Sequence, residues 1–579
     1  MARADDPHVM TRNPALLADL WGDQAMLGAH LLLADSCFWP TGAYGWGADS
    51  NPPDVAIFDG KRPVLLSADA NDQYLDGTSL PAYGDEPFPE VCYSGPAPFL
   101  PQVGLTMKLA PDLGVGLGFF PPDGAGLNQW GNRDGTIDTP KGKRPNPLRF
   151  FRSNQTVSFF TLLGAVGYRL NDFIRIGAGL QWNLAVFEAT TWTTPQQSRN
   201  TRNDVRTNVF GRDLFIPGVV ASIDLKPIDA LDIAIGYKWV DRVKSKAKLD
   251  ITSGAFGTGE VFRYISDPMD PSTTADDVIS TLGSAVPLTT PNQGGDVNAP
   301  PIWVPQLSFG VRFADRLKPL TDHSEKAMRG AGKFIEDSMS NERWDIEADF
   351  IYYFNSEYDR SQFTTDDAAL DLKSIDQTGL ISAFPSDVGK CIERVENPQP
   401  GQDDCPKKTH LVKTDFGGKN QISLRVGGDY NILPGVFTVR AGVSHETDGQ
   451  DVEMLNVLTY MLQRTGIHAG LTLRVFDKTD ISIGFAHFIQ RDVRLQVDPE
   501  SNLPRKYQKP EYNFAPGEGI ALADPTMPIP EGDFDGVAGV EVPNGSKTRP
   551  LNSPGPHFIN AGSYFYNLDV VSLTFAQHF

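Results

Sequence analysis

Apolar and polar side chains alternate one for one along much of the chain, most clearly over residues 173–187. Ile174, Ile176, Ala178, Leu180, Trp182, Leu184 and Val186 take one face, and Arg175, Gly177, Gly179, Gln181 and Asn183 take the other. Successive side chains of a strand point to opposite sides, so this period describes a strand with one apolar face and one polar or minimal face. The rule recurs in Leu231, Ile233, Ile235, Tyr237 and Trp239 against Asp232, Ala234, Gly236 and Lys238, and in Leu307, Phe309, Val311 and Phe313 against Ser308, Gly310 and Arg312. It returns around Ile422, Leu424 and Val426, and again from Ile467 to Val475.

About fourteen such segments are expected, near 24–33, 100–110, 113–120, 156–170, 173–187, 214–225, 231–240, 303–313, 343–353, 419–430, 436–445, 465–476, 480–490 and 560–579. An even count suits a closed antiparallel barrel. Short connections, such as those at 110–112, 171–172 and 477–480, interleave with long ones, such as 241–302, 354–418 and 491–559. Short turns at one end and long loops at the other mark a membrane barrel. The exception is 314–342, a long charged insertion on the short-turn side, where 324–338 is expected to form a short helix. Tyr168, Phe173, Phe313, Trp344, Tyr430 and Phe476 lie by the short turns, and Phe187, Trp239, Trp303 and Tyr352 lie toward the long loops, as two interfacial girdles require.

Composition narrows the classes. The 579 residues carry 51 Lys and Arg against 72 Asp and Glu, a net charge of −21 that excludes nucleic acid as a partner. With 40% hydrophobic residues the chain is no disordered polymer, yet it has no uncharged apolar run near the length of a helical span. A β-barrel passes this filter, because lipid-facing and lumen-facing residues average to a middling hydropathy. The chain closes on Val571, Leu573, Phe575, Gln577 and Phe579, an alternating segment ending in Phe that resembles the carboxy-terminal recognition pattern of bacterial outer-membrane barrels.

The N-terminal sequence Ala2-Arg3-Ala4-Asp5-Asp6-Pro7, followed by Arg12-Asn13-Pro14-Ala15-Leu16, resembles the plug segment of the FadL-type outer-membrane fatty acid transporters, whose members carry an Asn-Pro-Ala motif just before the first strand. Further family-like phrases run from Leu113 to Phe119, from Tyr168 to Leu180 and from Gly562 to Phe579. The resemblance implies an all-β fold, a monomeric 14-stranded antiparallel transmembrane β-barrel with an N-terminal plug segment over 1–23 (Asn13, Pro14 and Ala15 its motif) and the barrel over 24–579. It implies passive movement of long-chain fatty acids, or of aromatic hydrocarbons within the same family, across the cell outer membrane, with outer-membrane lipid as surroundings. The start of the chain lacks a basic segment followed by an apolar one, so a signal peptide is expected to be absent from it, and against the family it resembles the plug is expected to be shorter.

No enzymatic motif is present, no cofactor or metal is expected, and His445-Glu446 reads as a solvated strand end. The inward-facing bases Arg175, Lys238, Arg312, Arg425 and Arg474 are candidates for holding a fatty acid carboxylate, because a guanidinium or ammonium gives it charge-assisted hydrogen bonds. Inward acids Asp224, Asp232, Asp345, Glu347, Asp349 and Asp429 offer the competing reading, a balanced lumen lattice. Acidic runs at 267–270, 276–277 and 531–536 read as solvated surface rather than Ca²⁺ loops, and the apolar residues Val278, Ile279, Leu282, Val286 and Leu288 as an outer capture groove or a loop packed on itself. Two local cysteine couples, Cys37 with Cys92 and Cys391 with Cys405, are disulfide candidates, each within one outer loop. The rival function is a non-transporting surface protein, an adhesin or phage receptor built on the same barrel.

Overall fold

The computed structural model describes residues 3–579 apart from 4, 41–56, 60–61, 65–87, 122–126, 133–134, 141, 150–153, 194–204, 254–288, 302–303, 319–336, 367–407, 453–454, 456, 458–460 and 496–561. Its frame is a ring of fourteen strands: β1 (Gln24–Pro40), β2 (Phe99–Ala110), β3 (Leu113–Phe120), β4 (Asn154–Arg169), β5 (Ile174–Thr193), β6 (Val205–Ile228), β7 (Leu231–Val240), β8 (Gln306–Arg316), β9 (Glu342–Tyr353), β10 (Gln421–Leu433), β11 (Phe437–Glu446), β12 (Arg464–Val475), β13 (Thr479–Gln490) and β14 (Gly562–His578). Each is antiparallel to the next. The last pairs with the first from Gln24 opposite His578 to Pro40 opposite Gly562, which closes the barrel. Closure leaves no open edge strand, which a span through hydrocarbon requires.

The alternation decides which face meets lipid. Leu180 (73% exposed) and Phe215 (67%) stand on the outer surface, while Arg312, Asp224, Asp232 and Asn183 are at 2% exposure or less inside. That inversion of a soluble core is the arrangement a barrel in lipid needs. At the narrow-turn end Pro434, Gly435 and Val436 join β10 to β11, the glycine taking φ 76°. The β12–β13 turn instead holds Phe476 and Asp477 at φ 54° and 59°, leaving the Phe476 ring 93% exposed at the rim.

Several strands outrun the expected bounds. β1 continues to Pro40, so Cys37 lies within the strand and not in the loop after it, opposite Cys92 of a short strand (Val91–Cys92); the two sulfurs are bonded at 2.01 Å. Four segments expected as loop are strands that carry the sheet beyond the lipid belt: Arg242–Ser253, Thr289–Pro301, Arg360–Asp366 and Lys408–Asp415. Phe187 keeps the parity of Arg175 and Asn183, so it does not join an outer girdle but packs inward with Ala185, Ile216 and Val243. Within the insertion the described helix is one turn, Ser338–Asn341, and most of the expected 324–338 helix lies outside the described residues. Trp303, Cys391, Cys405, the apolar residues from Val278 to Leu288 and the three acidic runs also lie outside them. At the outer end Trp130, Leu148, Leu455 and Leu462 bury Phe38 and Tyr564 beneath an apolar cap.

Candidate functional site

The N-terminal residues enter the lumen as two 3-10 turns, Pro7–Thr11 and Pro14–Ala18. Each begins with a proline whose fixed φ suits a first turn and whose missing N–H is not needed there. Asp6 caps the first, its carboxylate accepting from the His8 amide at 2.8 Å. Met10, Leu16, Leu17 and Leu20 bury themselves against Met26, Phe120, Leu163 and Val220 of the barrel wall.

The wall is shaped to receive the second turn. Gly114 on β3, Gly167 on β4 and Gly177 on β5 stand in one row, Gly167 opposite both of the others. A Cβ at Gly114 would run into the Leu17 backbone, one at Gly167 into the carbonyl of Pro14, and one at Gly177 into the backbone of Pro14 and Ala15. The glycines thus let the segment lie backbone to backbone on the sheet. Beside them the Ala15 amide donates to Ser222 Oγ at 2.9 Å.

Asp19, at 1% exposure, anchors the end of the segment. It receives Arg169 (2.6 Å), Arg175 (2.7 Å) and Lys226 (2.9 Å), while the Lys108 ammonium donates to the Ala18 carbonyl. Burial by itself would raise the Asp19 carboxyl, but Lys226, Arg169 and Arg175 hold it well below the ordinary carboxylate range. Two residues beyond Ser222 on the same face, Asp224 is fully buried and neither of its oxygens meets a hydrogen-bond donor among the described residues.

The front of the segment is tied to the far wall. Arg3 bonds Asp345 (2.8 Å), Asp429 and Asp5, and Arg440 reaches Asp429 (2.7 Å) and Asp5 (3.4 Å). Burial opposes the ionisation of Asp5, but Arg3 and Arg440 prevail and bring it down to about 2. Asp6 goes the other way, pushed up to about 6 by burial and then by the charge of Asp5.

Of the five candidate bases, four form ion pairs with carboxylates among the described residues, and three of these are buried in the lumen lattice. Arg175 holds Asp19; Arg312 holds Asp345 (2.7 Å), Asp232 (3.0 Å) and Glu342; Arg474 holds Asp337 (2.5 Å) and Asp480 (2.7 Å) and lies 4.9 Å over the Trp21 ring. Arg425 and Lys238 sit nearer the outer ends of β10 and β7 and are half-buried, with Arg425 contacting Tyr353 Oη at 2.9 Å and Glu446 at 3.3 Å. The structure therefore does not gather the five into one cluster. Glu446 is buried between Arg425 and Arg464 (2.6 Å), and His445 bonds Thr465 Oγ1 at 3.0 Å on the exposed face. Sequence reasoning missed Arg3, Asp19, Arg169 and Lys226. Asp19 had a signal: it is the sole charge in the stretch from Pro14 to Leu20.

Next to this segment the β4 ladder is described in two stretches, and residues 122–126, which connect their partners, lie outside the described residues. β4 pairs with β3 from Thr161 to Tyr168 and with a short strand (Leu127–Gln129) from Asn154 to Thr156. Between these, Val157 to Phe160 have no ladder partner on that side among the described residues. Phe120 and Phe159 face inward there, the Phe120 ring stacking on His8 at 5.4 Å, while Phe119 and Phe160 meet at 5.7 Å on the outside.

No family model and no curated protein matches the sequence. Among solved structures, a FadL homologue from Pseudomonas aeruginosa superposes with a TM-score of 0.54 at 12% identity, over 100% of this chain and 95% of that one. The toluene transporters TodX of P. putida (TM-score 0.48, 10% identity, 100% and 96% covered) and TbuX of Ralstonia pickettii (0.47, 10%, 100% and 95%) are more distant in shape. The end-to-end superposition and the closed fourteen-strand ring agree: the chain has the fold of the FadL-type barrels.

Proposed function

We propose that the protein is a passive outer-membrane transporter of hydrophobic small molecules, with long-chain fatty acids as the leading substrate and aromatic hydrocarbons as the second. The observation that carries this reading is a lumen stopped by the chain's own N-terminus, held by noncovalent contacts (backbone apposition, apolar packing and ion pairs), beside the inward-facing rings of Phe120 and Phe159. A stopper held this way moves without breaking a covalent bond, and the phenyl faces of Phe120 and Phe159 offer a path that favours apolar solutes. Lys238 and Arg425, outward of the segment, are the bases placed to meet a carboxylate before the stopper is reached; Arg175, Arg312 and Arg474 serve the lattice that holds the segment. No nucleotide-binding motif appears, so movement follows the solute gradient. An adhesin or phage receptor has no use for a seated internal segment.

The test is a lock. Ala15→Cys with Ser222→Cys joins the segment to the wall at an existing contact. Uptake of labelled oleate, and separately of toluene, into cells carrying the pair is expected to fall to background under oxidation and to return under a reductant, with the parent indifferent to both. Uptake unaffected by the lock would remove the stopper from the mechanism, and no uptake of either solute by the parent would remove transport.

A further inference from the structure

On the outside of the barrel, the sheet that rises beyond the lipid belt carries a set of cations that the transport reading does not use. β6 has a bulge at Leu214 and Phe215, two residues standing opposite the single Leu184 of β5, as shown by the register step from Asn183–Ile216 to Ala185–Asp213. A bulge switches which side chains face out. Below it Val219 and Ile223 point outward; above it Phe210, Arg212 and Leu214 do. The strand Arg242–Ser253 lies alongside, with Lys246 opposite Arg212 and Lys248 opposite Phe210. Its inner face buries Val243, Ser245 and Ala247, so Lys244, Lys246 and Lys248 alternate onto the outer face and are exposed.

Height is what gives this set a partner. Just beneath it stand Trp182 (49% exposed), Leu214 (50%) and Phe215 (67%), with the Trp182 indole donating to the Leu214 carbonyl at 2.7 Å. Aromatic side chains of this kind settle at the boundary between hydrocarbon and head groups. Arg212 is three residues above Phe215, within about 10 Å at the rise of a strand. The cations therefore stand at head-group level, facing the membrane rather than the lumen. Acids accompany them: Asp296 meets Lys246 at 2.6 Å, Asp241 meets Lys244 at 3.1 Å, and Glu188 lies opposite Phe210. Among the described residues Arg212 and Lys248 have no carboxylate in ion-pair range; Arg212 stands across the ladder from Lys246, and Lys248 lies two residues along the same strand. Adjacent strands lie about 5 Å apart and alternate residues about 7 Å, so the three cations span the size of one phosphate group.

We propose that Arg212, Lys246 and Lys248 form a binding site for the phosphate groups of the anionic glycolipid in the outer leaflet, the bisphosphorylated glucosamine lipid that faces the cell exterior. The site rests on the outer-membrane reading above. Its acyl chains continue down the same apolar face, over Leu214, Phe215 and Val219, so one molecule satisfies both the charged row and the greasy belt beneath it. Charge-assisted contacts of a guanidinium and two ammonium groups with phosphate supply the affinity and make it sensitive to salt.

The full-length protein in detergent micelles, titrated with bisphosphorylated lipid A and read by native mass spectrometry, tests this directly. The parent is expected to retain the lipid, to bind its phosphate-free counterpart at least tenfold more weakly, and to release it at high salt. The triple variant Arg212→Ala, Lys246→Ala, Lys248→Ala is expected to lose at least tenfold in affinity while keeping the heat-modifiable gel mobility of a closed barrel. Should the triple variant not fold, Arg212→Gln and Lys248→Gln singly are each expected to lose about threefold. Equal binding by parent and folded variants, or equal binding of the phosphate-free lipid by the parent, overturns the site. Fractionation of cells is a separate arm: recovery of the parent outside the outer membrane defeats the location while leaving the measured affinity to stand or fall by itself.

Discussion

The two walls that grip the N-terminal segment do so by opposite means. On β3 to β5 the contact is bare backbone on a row of glycines, closed by Leu16, Leu17 and Met10. On β8 to β11 it is charge on charge, with Arg3 and Asp5 threaded among Arg312, Asp345, Asp429 and Arg440. A glycine row accepts one shape and fails when a side chain is added; an ion lattice is indifferent to shape but answers to protons and salt. Asp19 stands where the two meet, ending the apolar turn and taking three cations. The segment thus has a steric seat at its back and an electrostatic clasp at its front.

The largest break in this arrangement is expected from Asp19→Ala. Three buried cations lose their shared partner, a change of the kind that costs about 3–5 kcal/mol. Permeability to small solutes that the parent excludes is expected to rise by two orders of magnitude or more in a liposome-swelling assay. A leak no greater than the parent's would show that the steric seat alone suffices.

Next is Gly177→Val. Its side chain collides with the backbone of Pro14 and Ala15, which has no rotamer to retreat into. Overpacking costs about 1–3 kcal/mol, enough for a roughly tenfold or greater leak, whereas Gly164→Val, with nothing within 4 Å of the added carbon, is expected to behave as the parent. Equal behaviour of the two variants would sink the glycine seat.

How much of this contrast the sequence announced depends on what each residue faces. All fourteen strands were legible because lipid lies on one side of them and polar lumen on the other, so alternation has an amplitude to read. Arg242–Ser253 was not legible as strand, since its lysines face the head-group layer and it continues a sheet above the belt where the contrast fades. Gly114, Gly167 and Gly177 appeared as phrases rich in glycine, but nothing local says which of them meets another backbone. Arg175, Arg312 and Arg474 were correctly placed inward, while their partners Asp19 and Asp337 come from the N-terminus and the insertion, at separations no pattern reveals.

The clasp is expected to show itself as a pH window. Asp6 is raised in the seated state, so its contribution is full below its ordinary range near 3.8 and is lost as pH rises through about 6. Asp5 is lowered to about 2, so its contribution is full above 3.8 and is lost as pH falls toward 2. Seating should be tightest near pH 4, weaken as pH rises to about 6, and be level from there to 8. Protease accessibility of the N-terminus across this range is the measurement, and Asp6→Asn is expected to flatten the upper limb alone.

The smallest expected effect concerns the acid that the lattice does not use. Asp224 faces Arg175 directly across the β5–β6 register, yet the guanidinium turns to Asp19 and leaves both Asp224 oxygens without a donor. A buried acceptor left unmet costs about 1–3 kcal/mol, so an amide of the same shape has little to lose there. Asp224→Asn is therefore expected to leave the seated segment as tight as in the parent, or slightly tighter, with unchanged leak and a heat-modifiability midpoint equal to the parent's or a few degrees above. The two carboxylates see the same cations, so Asp19→Asn beside Asp224→Asn separates a charge that bonds from one that is merely near. If the second variant leaks as much as the first, Asp224 supplies field strength that Arg175 and Lys226 need in order to stay where they are, and the seat is a shared charge network instead of a single anchor at Asp19.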